Sequence, residues 1–103
     1  MYNCATMHIL TKPDVGTIFA ALASPVRLEI LAMLAGKELC VCEIAENLNR
    51  ERSVVSRHLM MMEQAGILNS RSEGKRVIYW IKDKRALQLL GIGLDMVNNP
   101  VKE

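Results

Sequence analysis

Two cysteines separated by a single residue, Cys40 and Cys42, carry the most specific chemistry in this sequence. Thiolates are soft ligands that bind thiophilic metals and metalloids, and two neighbouring sulfurs can chelate one ion. On a regular helix, residues two apart point about 200° away from each other. If both sulfurs bind the same ion, at least one cysteine must therefore lie in an extended cap before a helix. The alternative is that both are small buried apolar side chains, a common fate of cysteine.

Other potential ligands lie near the start of the chain and in its middle. Cys4 and His8 fall in an N-terminal segment without clear periodicity, where a lone histidine is more often solvated than bound to a metal. The run Met60-Met61-Met62 is compatible with copper(I) binding. Methionines on a helix more often fill gaps in a core, however, and Met62 is expected to be buried.

Oxidation is a further chemistry open to these thiols. Ring strain is expected to disfavour a disulfide between Cys40 and Cys42, whereas a disulfide from Cys4 to either of them is open. Three cysteines are an odd number and do not make a disulfide framework. A reducing cytoplasm, where thiols stay free for metals, is therefore the expected setting.

The basic residues are concentrated in the second half of the chain, although the formal net charge is only +2. Such clustering indicates a phosphate-binding face better than the total charge does. Arginine can bind guanine O6 and N7 together, serine reaches bases or phosphates, and histidine is better suited to steadying a phosphate or a turn. The candidate DNA contacts are Arg50, Arg52, Ser53, Ser56, Arg57 and His58 around a predicted reading helix, and Arg71, Lys75 and Arg76 in a predicted hairpin. The alternative for such a face is an ordinary solvated surface.

The hydrophobic pattern predicts the elements that position these groups. The 103 residues fit one domain, 1–103, with a loose arm over 1–12. Helical spacing and cap residues predict helices over 13–23, 25–35, 41–48, 53–65 and 84–97. Alternation around a turn predicts strands over 68–72 and 76–81. This order predicts a mainly α fold with a small β-hairpin, a winged helix-turn-helix.

The final predicted helix, 84–97, is apolar on two adjacent stripes. They are Leu87, Leu90, Leu94 and Val97, and Leu89, Ile92 and Met96. One stripe can face the domain core and the other a second subunit. Apolar residues make up 50% of the sequence, and a chain this short buries only a modest share of its surface alone. We therefore expect a homodimer in which this helix is the dimerisation element.

Several other classes of protein are not expected from this sequence. The first 14 residues lack the basic start and apolar run of a signal peptide, and no apolar stretch approaches the roughly 20 residues of a membrane span. Ser56 and His58 are two apart on a predicted helix and point away from each other, so they form no nucleophile–base pair. The sequence also lacks a Gly-rich phosphate loop and a His-Glu-x-x-His motif, so we do not expect an enzyme.

Several short strings in the middle of the chain are shared with one known family. They are Glu38-Leu39-Cys40-Val41-Cys42-Glu43 with Ile44-Ala45, then Val55-Ser56-Arg57-His58-Leu59, and Ala65-Gly66-Ile67-Leu68. Over about residues 15–90 the chain resembles the ArsR/SmtB family, dimeric winged-helix repressors that leave operator DNA when they bind a metal or metalloid. The first string is similar to the family's arsenite-sensing box, and the Ser-Arg-His-Leu string resembles its recognition-helix signature. The resemblance implies double-stranded operator DNA as the partner and As(III) or Sb(III) as the inducer.

The chain departs from the family's pattern at three places. Arsenic sensors of this type often place a third cysteine where this chain has Ala45, so Cys4 of the same or the other subunit becomes the candidate third ligand. The final helix holds only Asp95 and lacks the paired carboxylate and histidine ligands of the zinc-sensing branch. Glu51 stands where the family has a serine cap, and a carboxylate there still suits the helix dipole. A Cd(II)- or Pb(II)-type sensor and a thiol redox sensor, both using the same cysteines, are the alternatives to arsenite sensing.

Overall fold

The computed structural model describes residues 14–102, which form five α-helices and one three-stranded antiparallel sheet. The elements in chain order are α1 (Val15–Leu22), α2 (Pro25–Met33), β1 (Leu39–Cys40), α3 (Val41–Leu48), α4 (Arg52–Gln64), β2 (Leu68–Glu73), β3 (Arg76–Ile81) and α5 (Arg85–Asn98). The helices α3 and α4 are the helix-turn-helix, and the β2–β3 hairpin is the wing. The predicted winged helix-turn-helix is thus confirmed, and each predicted boundary within the described range lies within two residues of the observed one.

Short polar side chains begin the first two helices. Asp14 precedes α1 in extended backbone, and its Oδ1 accepts a hydrogen bond of 2.8 Å from the amide of Thr17. Ser24 caps α2 in the same way, and Pro25 occupies the first turn, where no amide hydrogen is needed. Pro13, the predicted start of the first helix, lies outside the described residues. The break between α1 and α2 therefore lies at a cap–proline pair, Ser24 and Pro25, which can be recognised in the sequence.

The core lies where α2, α3 and α4 pack against the sheet. Ile30, Ile44, Leu59 and Met62 are each fully buried there. Burial of one such side chain contributes about 1.5–3 kcal/mol to folding. Met62 is therefore a core residue, as predicted, while Met60 and Met61 are exposed.

The strand β1 was not predicted from the sequence. It has only two residues, Leu39 and Cys40, which pair with Tyr79 and Ile78 of β3. The sheet order is β1-β3-β2, so β3 is the central strand and β1 and β2 lie on either side of it. The first cysteine of the thiol pair is consequently part of the same sheet as the wing.

The helices α1 and α5 expose a large apolar surface in the single chain. Val15 and Phe19 of α1 are 68% and 55% exposed, whereas Leu22 at the end of the same helix is buried. In α5 only Ala86 is buried, and Leu87, Leu89 and Leu90 pack partly against the core. The second half of α5 exposes Ile92, Leu94, Met96 and Val97 by 54–78%. The predicted stripe from Leu87 to Val97 therefore meets the core only in its first half.

In the described part of the chain, every single helix is too short or too polar to cross a membrane. Only α1 and α2 taken together reach the necessary length and composition, and they meet at an angle of 89°.

Candidate functional site

The two cysteines lie at the junction of β1 and α3. Cys40 is the N-cap of α3 and has extended backbone angles, φ −80° and ψ 160°, whereas Cys42 lies in the first helical turn. This arrangement agrees with the expectation that one cysteine must precede the helix. Cys40 is 1% exposed, and Cys42 is half-buried.

Cys40 caps α3 through a reciprocal pair of hydrogen bonds with Glu43. The amide of Glu43 donates to Sγ of Cys40 at 3.2 Å, and the amide of Cys40 donates to Oε1 of Glu43 at 2.9 Å. This is a capping box in which a cysteine sulfur takes the place of the usual hydroxyl. The sulfur that would bind an ion is therefore also the sulfur that holds the first turn of the helix.

Cys40 and Cys42 are joined by a disulfide in the structure. The expectation that ring strain would disfavour this bond was wrong. The extended cap conformation at Cys40 changes the direction of its side chain, so the two sulfurs meet on one side of the helix start. The Cα atoms are 5.3 Å apart, which lies within the usual range for disulfides.

A shallow groove leads from the thiol pair towards the start of α4. It is lined by Cys42, Ala45, Glu46, Asn49, Arg50, Glu51 and Arg52. Across residues 14–102, the structure brings together no group of three histidine, cysteine or acidic side chains suited to a metal ion. Ala45, at the position of the family's third cysteine, is buried and has no ligand atom. Cys4 and His8 lie outside the described residues, so their predicted roles stay predictions.

The recognition helix α4 presents its N-terminal half to solvent. The turn before it is closed by Asn49 in the left-handed conformation, with φ 54°. Glu51 occupies the N-cap position without a side-chain cap hydrogen bond, so the predicted contribution of its carboxylate is electrostatic only. Of the predicted DNA contacts here, Arg50, Arg52, Ser53 and Arg57 are exposed, and Ser56 and His58 are half-buried. Arg50, Arg52 and Arg57 form no ion pair with any other described residue, which leaves their charges available to a ligand.

His58 contacts a half-buried arginine of α2 that sequence reasoning missed. Arg27 of α2 lies with Nη1 at 3.0 Å from Nδ1 of His58, and it also donates from Nε and Nη2 to the carbonyls of Ala21 and Ala20 at 2.7 and 3.1 Å. The pKa of His58 is lowered from its ordinary value, first because burial disfavours the charged ring and then because nearby arginines repel it. His58 therefore anchors α4 to α1 and α2. The sequence holds no local signal for this contact, because the two residues are 31 positions apart.

The two wing arginines are bound by carboxylates. Arg71 on β2 forms ion pairs with Glu38 at 2.7 Å and Glu73 at 2.8 Å, and its guanidinium lies 5.3 Å from the centre of the Trp80 ring. These two carboxylates raise the pKa of Arg71 by hydrogen bonding.

Arg76 on β3 forms its ion pair with an acidic residue of the segment 38–43, which holds both cysteines and is called the thiol box here. Its Nη2 lies 3.3 Å from Oε1 of Glu43. Lys75 is exposed in the hairpin turn, where Gly74 supplies the positive φ of 61° that the turn requires. Glu38 and Glu43 were noted in the sequence as parts of the box, but no sequence pattern indicated that they form ion pairs with arginines of the wing.

Comparisons with known proteins agree on one group of regulators. Residues 24–70 match the family described as bacterial regulatory proteins, arsR family. The chain is 38% identical over 74 residues to an uncharacterized HTH-type transcriptional regulator of Methanocaldococcus jannaschii, covering 71% of this chain and 83% of that protein. It is 34% identical over 84 residues to a cadmium resistance transcriptional regulatory protein of Listeria innocua, covering 81% of this chain and 71% of that one.

A solved structure with a similar fold is that of the antimony-specific transcriptional repressor AntR. It matches with a TM-score of 0.72 and 30% identity, over 82% of this chain and 77% of the other. The segment that matches the family description, residues 24–70, contains both the thiol pair and α4.

Proposed function

This chain belongs to the ArsR/SmtB family of transcriptional repressors, and we propose that it releases its operator when a thiophilic metalloid binds its cysteines. In this proposal a homodimer binds double-stranded operator DNA in the cytoplasm. As(III) or Sb(III) then binds the reduced thiolates of Cys40 and Cys42, and Cys4 supplies the third sulfur. The observation that carries the proposal is the position of the thiol pair at the start of α3, the helix that packs on the recognition helix.

The proposed DNA interface is the exposed start of α4. Arg52, Ser53, Ser56 and Arg57 lie along one side of the helix, and its N-terminal half is the part that reaches base edges in a winged helix. Arg50 lies in the preceding turn, within reach of the backbone phosphates. Lys75 at the tip of the wing would meet the adjacent groove, together with Arg71 and Arg76 if these exchange their carboxylates for phosphates.

The proposed dimer interface is the uncovered apolar face of α1 and α5. Phe19, Leu28, Leu90, Leu94 and Val97 line one continuous groove between these helices and α2. A continuous apolar patch that is exposed on the isolated chain indicates a contact with another protein chain. A second copy of α5 supplies a matching apolar helix, because a twofold interface pairs a surface with itself.

In the proposed chemistry, the oxidation state of Cys40 and Cys42 determines whether the inducing ion can bind. Only reduced thiolates bind an ion, so a thiol reductant must first supply two electrons and two protons to the disulfide and be oxidised to its own disulfide. Binding at Sγ of Cys40 then competes with the hydrogen bond from the amide of Glu43, which loosens the first turn of α3. The relatives named for cadmium and for antimony support a thiophilic ion of this general class. A cadmium- or lead-type sensor with the same thiols is the alternative within this proposal.

The test is the fluorescence anisotropy of the reduced protein on a labelled duplex of its own upstream DNA. Arsenite, antimonite, cadmium, lead and zinc are titrated in parallel, first on the native chain and then on Cys4→Ser. Release by arsenite or antimonite that is lost in Cys4→Ser supports a three-thiolate metalloid sensor. Release by cadmium or lead alone supports the alternative, a cadmium- or lead-type sensor. DNA binding that no ion reverses overturns the ion-sensing proposal.

A thiol redox sensor is the second candidate, and the disulfide between Cys40 and Cys42 favours it. Forming that bond removes two electrons and two protons from the pair, which a peroxide or a small-molecule disulfide would accept. DNA affinity is measured for the reduced and the oxidised protein after alkylation has verified each state. A change in affinity on oxidation that disappears in Cys42→Ser supports this function, and equal affinities for the two states exclude it.

A further inference from the structure

We propose that Glu43 couples the thiol pair to DNA, because one of its carboxylate oxygens binds both the thiol box and the wing. Oε1 of Glu43 accepts from the amide of Cys40 at 2.9 Å and from Nη2 of Arg76 at 3.3 Å. In this role Glu43 is a positioning residue, which sets how much of the Arg76 charge is available to a phosphate. The inference rests on the proposed function and names a residue that regulates it.

The backbone supports this coupling, because the thiol box and the wing share a sheet. Cys40 pairs with Ile78 on β3, only two residues from Arg76. The wing arginine is thereby carried on a strand that is hydrogen-bonded to the residue whose sulfur would bind the ion. A displacement of the first turn of α3 moves the Glu43 carboxylate relative to a strand that stays in place.

The other end of the thiol box has a parallel arrangement. Glu38, which precedes Leu39 and Cys40, forms an ion pair of 2.7 Å with Arg71 on β2. The two carboxylates that flank the cysteines therefore hold one arginine on each strand of the wing. Arg71 has a second carboxylate and an aromatic ring as further contacts. Arg76 has Glu43 as its only acidic partner among the described residues, so its charge depends more directly on the box.

The ion pair between Glu43 and Arg76 is suited to exchange. Both side chains are about half exposed, at 47% and 54%, and exposed ion pairs are weak. A DNA phosphate can therefore displace Glu43 from Arg76 at small cost while Glu43 remains bound to the amide of Cys40. The carboxylate and the phosphate compete for one guanidinium.

Ion binding at the thiols shifts this competition. An ion on Sγ of Cys40 displaces the amide of Glu43, and this opens one half of the capping box. The carboxylate then loses its fixed position on the amide of Cys40 and becomes free to pair fully with Arg76. The result is a weaker contact between the wing and DNA in the ion-bound protein, which is the direction that derepression requires.

The central variant is Glu43→Gln. Glutamine keeps the capping box, because its amide oxygen accepts from the amide of Cys40, but it removes the charge that holds Arg76. The matched control is Glu46→Gln, which removes the same charge from an exposed position on the same helix that forms no ion pair with the arginines of the wing. Both variants are compared with the native chain on the same upstream duplex, with arsenite and cadmium as the probes.

Two measurements carry the test. The first is the salt dependence of DNA binding without any ion. Glu43→Gln should tighten binding and steepen the fall of log affinity with log salt by up to about 1, because Glu43 no longer shares the Arg76 guanidinium with a phosphate. The second is the reduction of affinity by the inducing ion, which should be at least about fivefold smaller in Glu43→Gln than in the native chain. Absorbance of the sulfur–ion bond should show that the variant still binds the ion. In an Arg76→Ala background, Glu43→Gln should have no further effect.

The inference is overturned if Glu43→Gln has the same salt slope and the same release by the ion as the native chain. The proposed function is still supported in that case, provided that the ion releases the native chain from DNA. The inference is also overturned if Glu46→Gln has the same effect, because the cause is then general charge, or if the effect of Glu43→Gln persists without Arg76. Failure of the native chain to be released by any ion counts against the proposed function instead. The salt measurement, which uses no ion, still decides whether Glu43 competes for Arg76.

Discussion

The hydrogen bond between Arg27 and His58 exists only while the imidazole is neutral. A guanidinium donates and never accepts, so Nδ1 of His58 must be the acceptor and its proton must lie on Nε2. Protonation of Nδ1 would place two donors and two positive charges 3.0 Å apart. The link between α2 and the recognition helix is therefore sensitive to pH.

We expect the stability of the native chain to fall as the pH drops below 6.5. The pKa of His58 is lowered from 6.5 in the folded protein, by burial and by Arg27, Arg50 and Arg57. Between the lowered value and 6.5 the unfolded chain binds more protons than the folded one, so the free energy of unfolding rises with pH across that window. Urea denaturation on either side of pH 6.5 measures it. His58→Gln keeps an acceptor for Arg27 and should flatten this dependence. Any contribution from His8 is common to both proteins, so equal slopes would contradict the role of His58.

Replacement of Arg57 by alanine should weaken operator binding by about 1–3 kcal/mol, because an exposed arginine on the recognition face is lost. Binding isotherms at one salt concentration measure the effect. Arg85→Ala is the matched control, since Arg85 is 82% exposed at the start of α5 and pairs with Asp83. An equal loss in both variants would show that general positive charge, and not this face, governs the affinity.

Serine and alanine at position 40 should separate capping from ion binding. In reduced protein, Cys40→Ser keeps a hydrogen-bond acceptor for the amide of Glu43. Cys40→Ala removes that acceptor and should lower the free energy of unfolding by about 1 kcal/mol. Thermal denaturation compares the two. Cys40→Ser and Cys42→Ser should both retain DNA affinity and lose release by the inducing ion. Loss of DNA binding in the serine variants would mean that the thiols are structural.

A charge in the apolar face of α5 should prevent dimerisation. Ile92 is 59% exposed in the single chain, and Ile92→Glu would bury a carboxylate at the proposed twofold interface. Light scattering coupled to size-exclusion chromatography should give a monomer for this variant and a dimer for the native chain. Val77→Glu, at an exposed position on the wing, should stay dimeric. A dimeric Ile92→Glu would place the interface elsewhere.

The sequence was sufficient to predict every element of the described residues except β1. Helical periodicity, the Ser24-Pro25 cap and the turn at Gly74 depend on neighbouring residues, so they can be recognised without a structure. An extended cap for at least one of the two cysteines followed from helix geometry together with the assumption that both bind one ion, and the structure places Cys40 in that cap. Two-residue strands carry no periodic signal, and β1 was missed for that reason.

Contacts between distant segments were beyond sequence reasoning. The pairs Arg27–His58 and Glu43–Arg76 join residues 31 and 33 positions apart, and no local sequence pattern predicts such contacts. The disulfide was misjudged because the ring-strain argument considered only the spacing of the two cysteines, and not the backbone angles that Cys40 adopts as the N-cap. The apolar stripes of α5 could be predicted, but how far the core covers them could not, since helical spacing shows that a face is apolar without showing what covers it.

The unequal burial of the two sulfurs fixes an order of events for any ion that arrives from solvent. Cys42 lines the open groove, whereas Cys40, the N-cap of α3, is almost fully buried. An ion from solvent would therefore meet Cys42 first, and it would bind Cys40 once the hydrogen bond from the amide of Glu43 to Sγ of Cys40 is broken. Dissociation follows the same route in reverse, so the residence time of a doubly bound ion is governed by the opening rate of one helical turn. Derepression would then outlast a brief exposure to the ion.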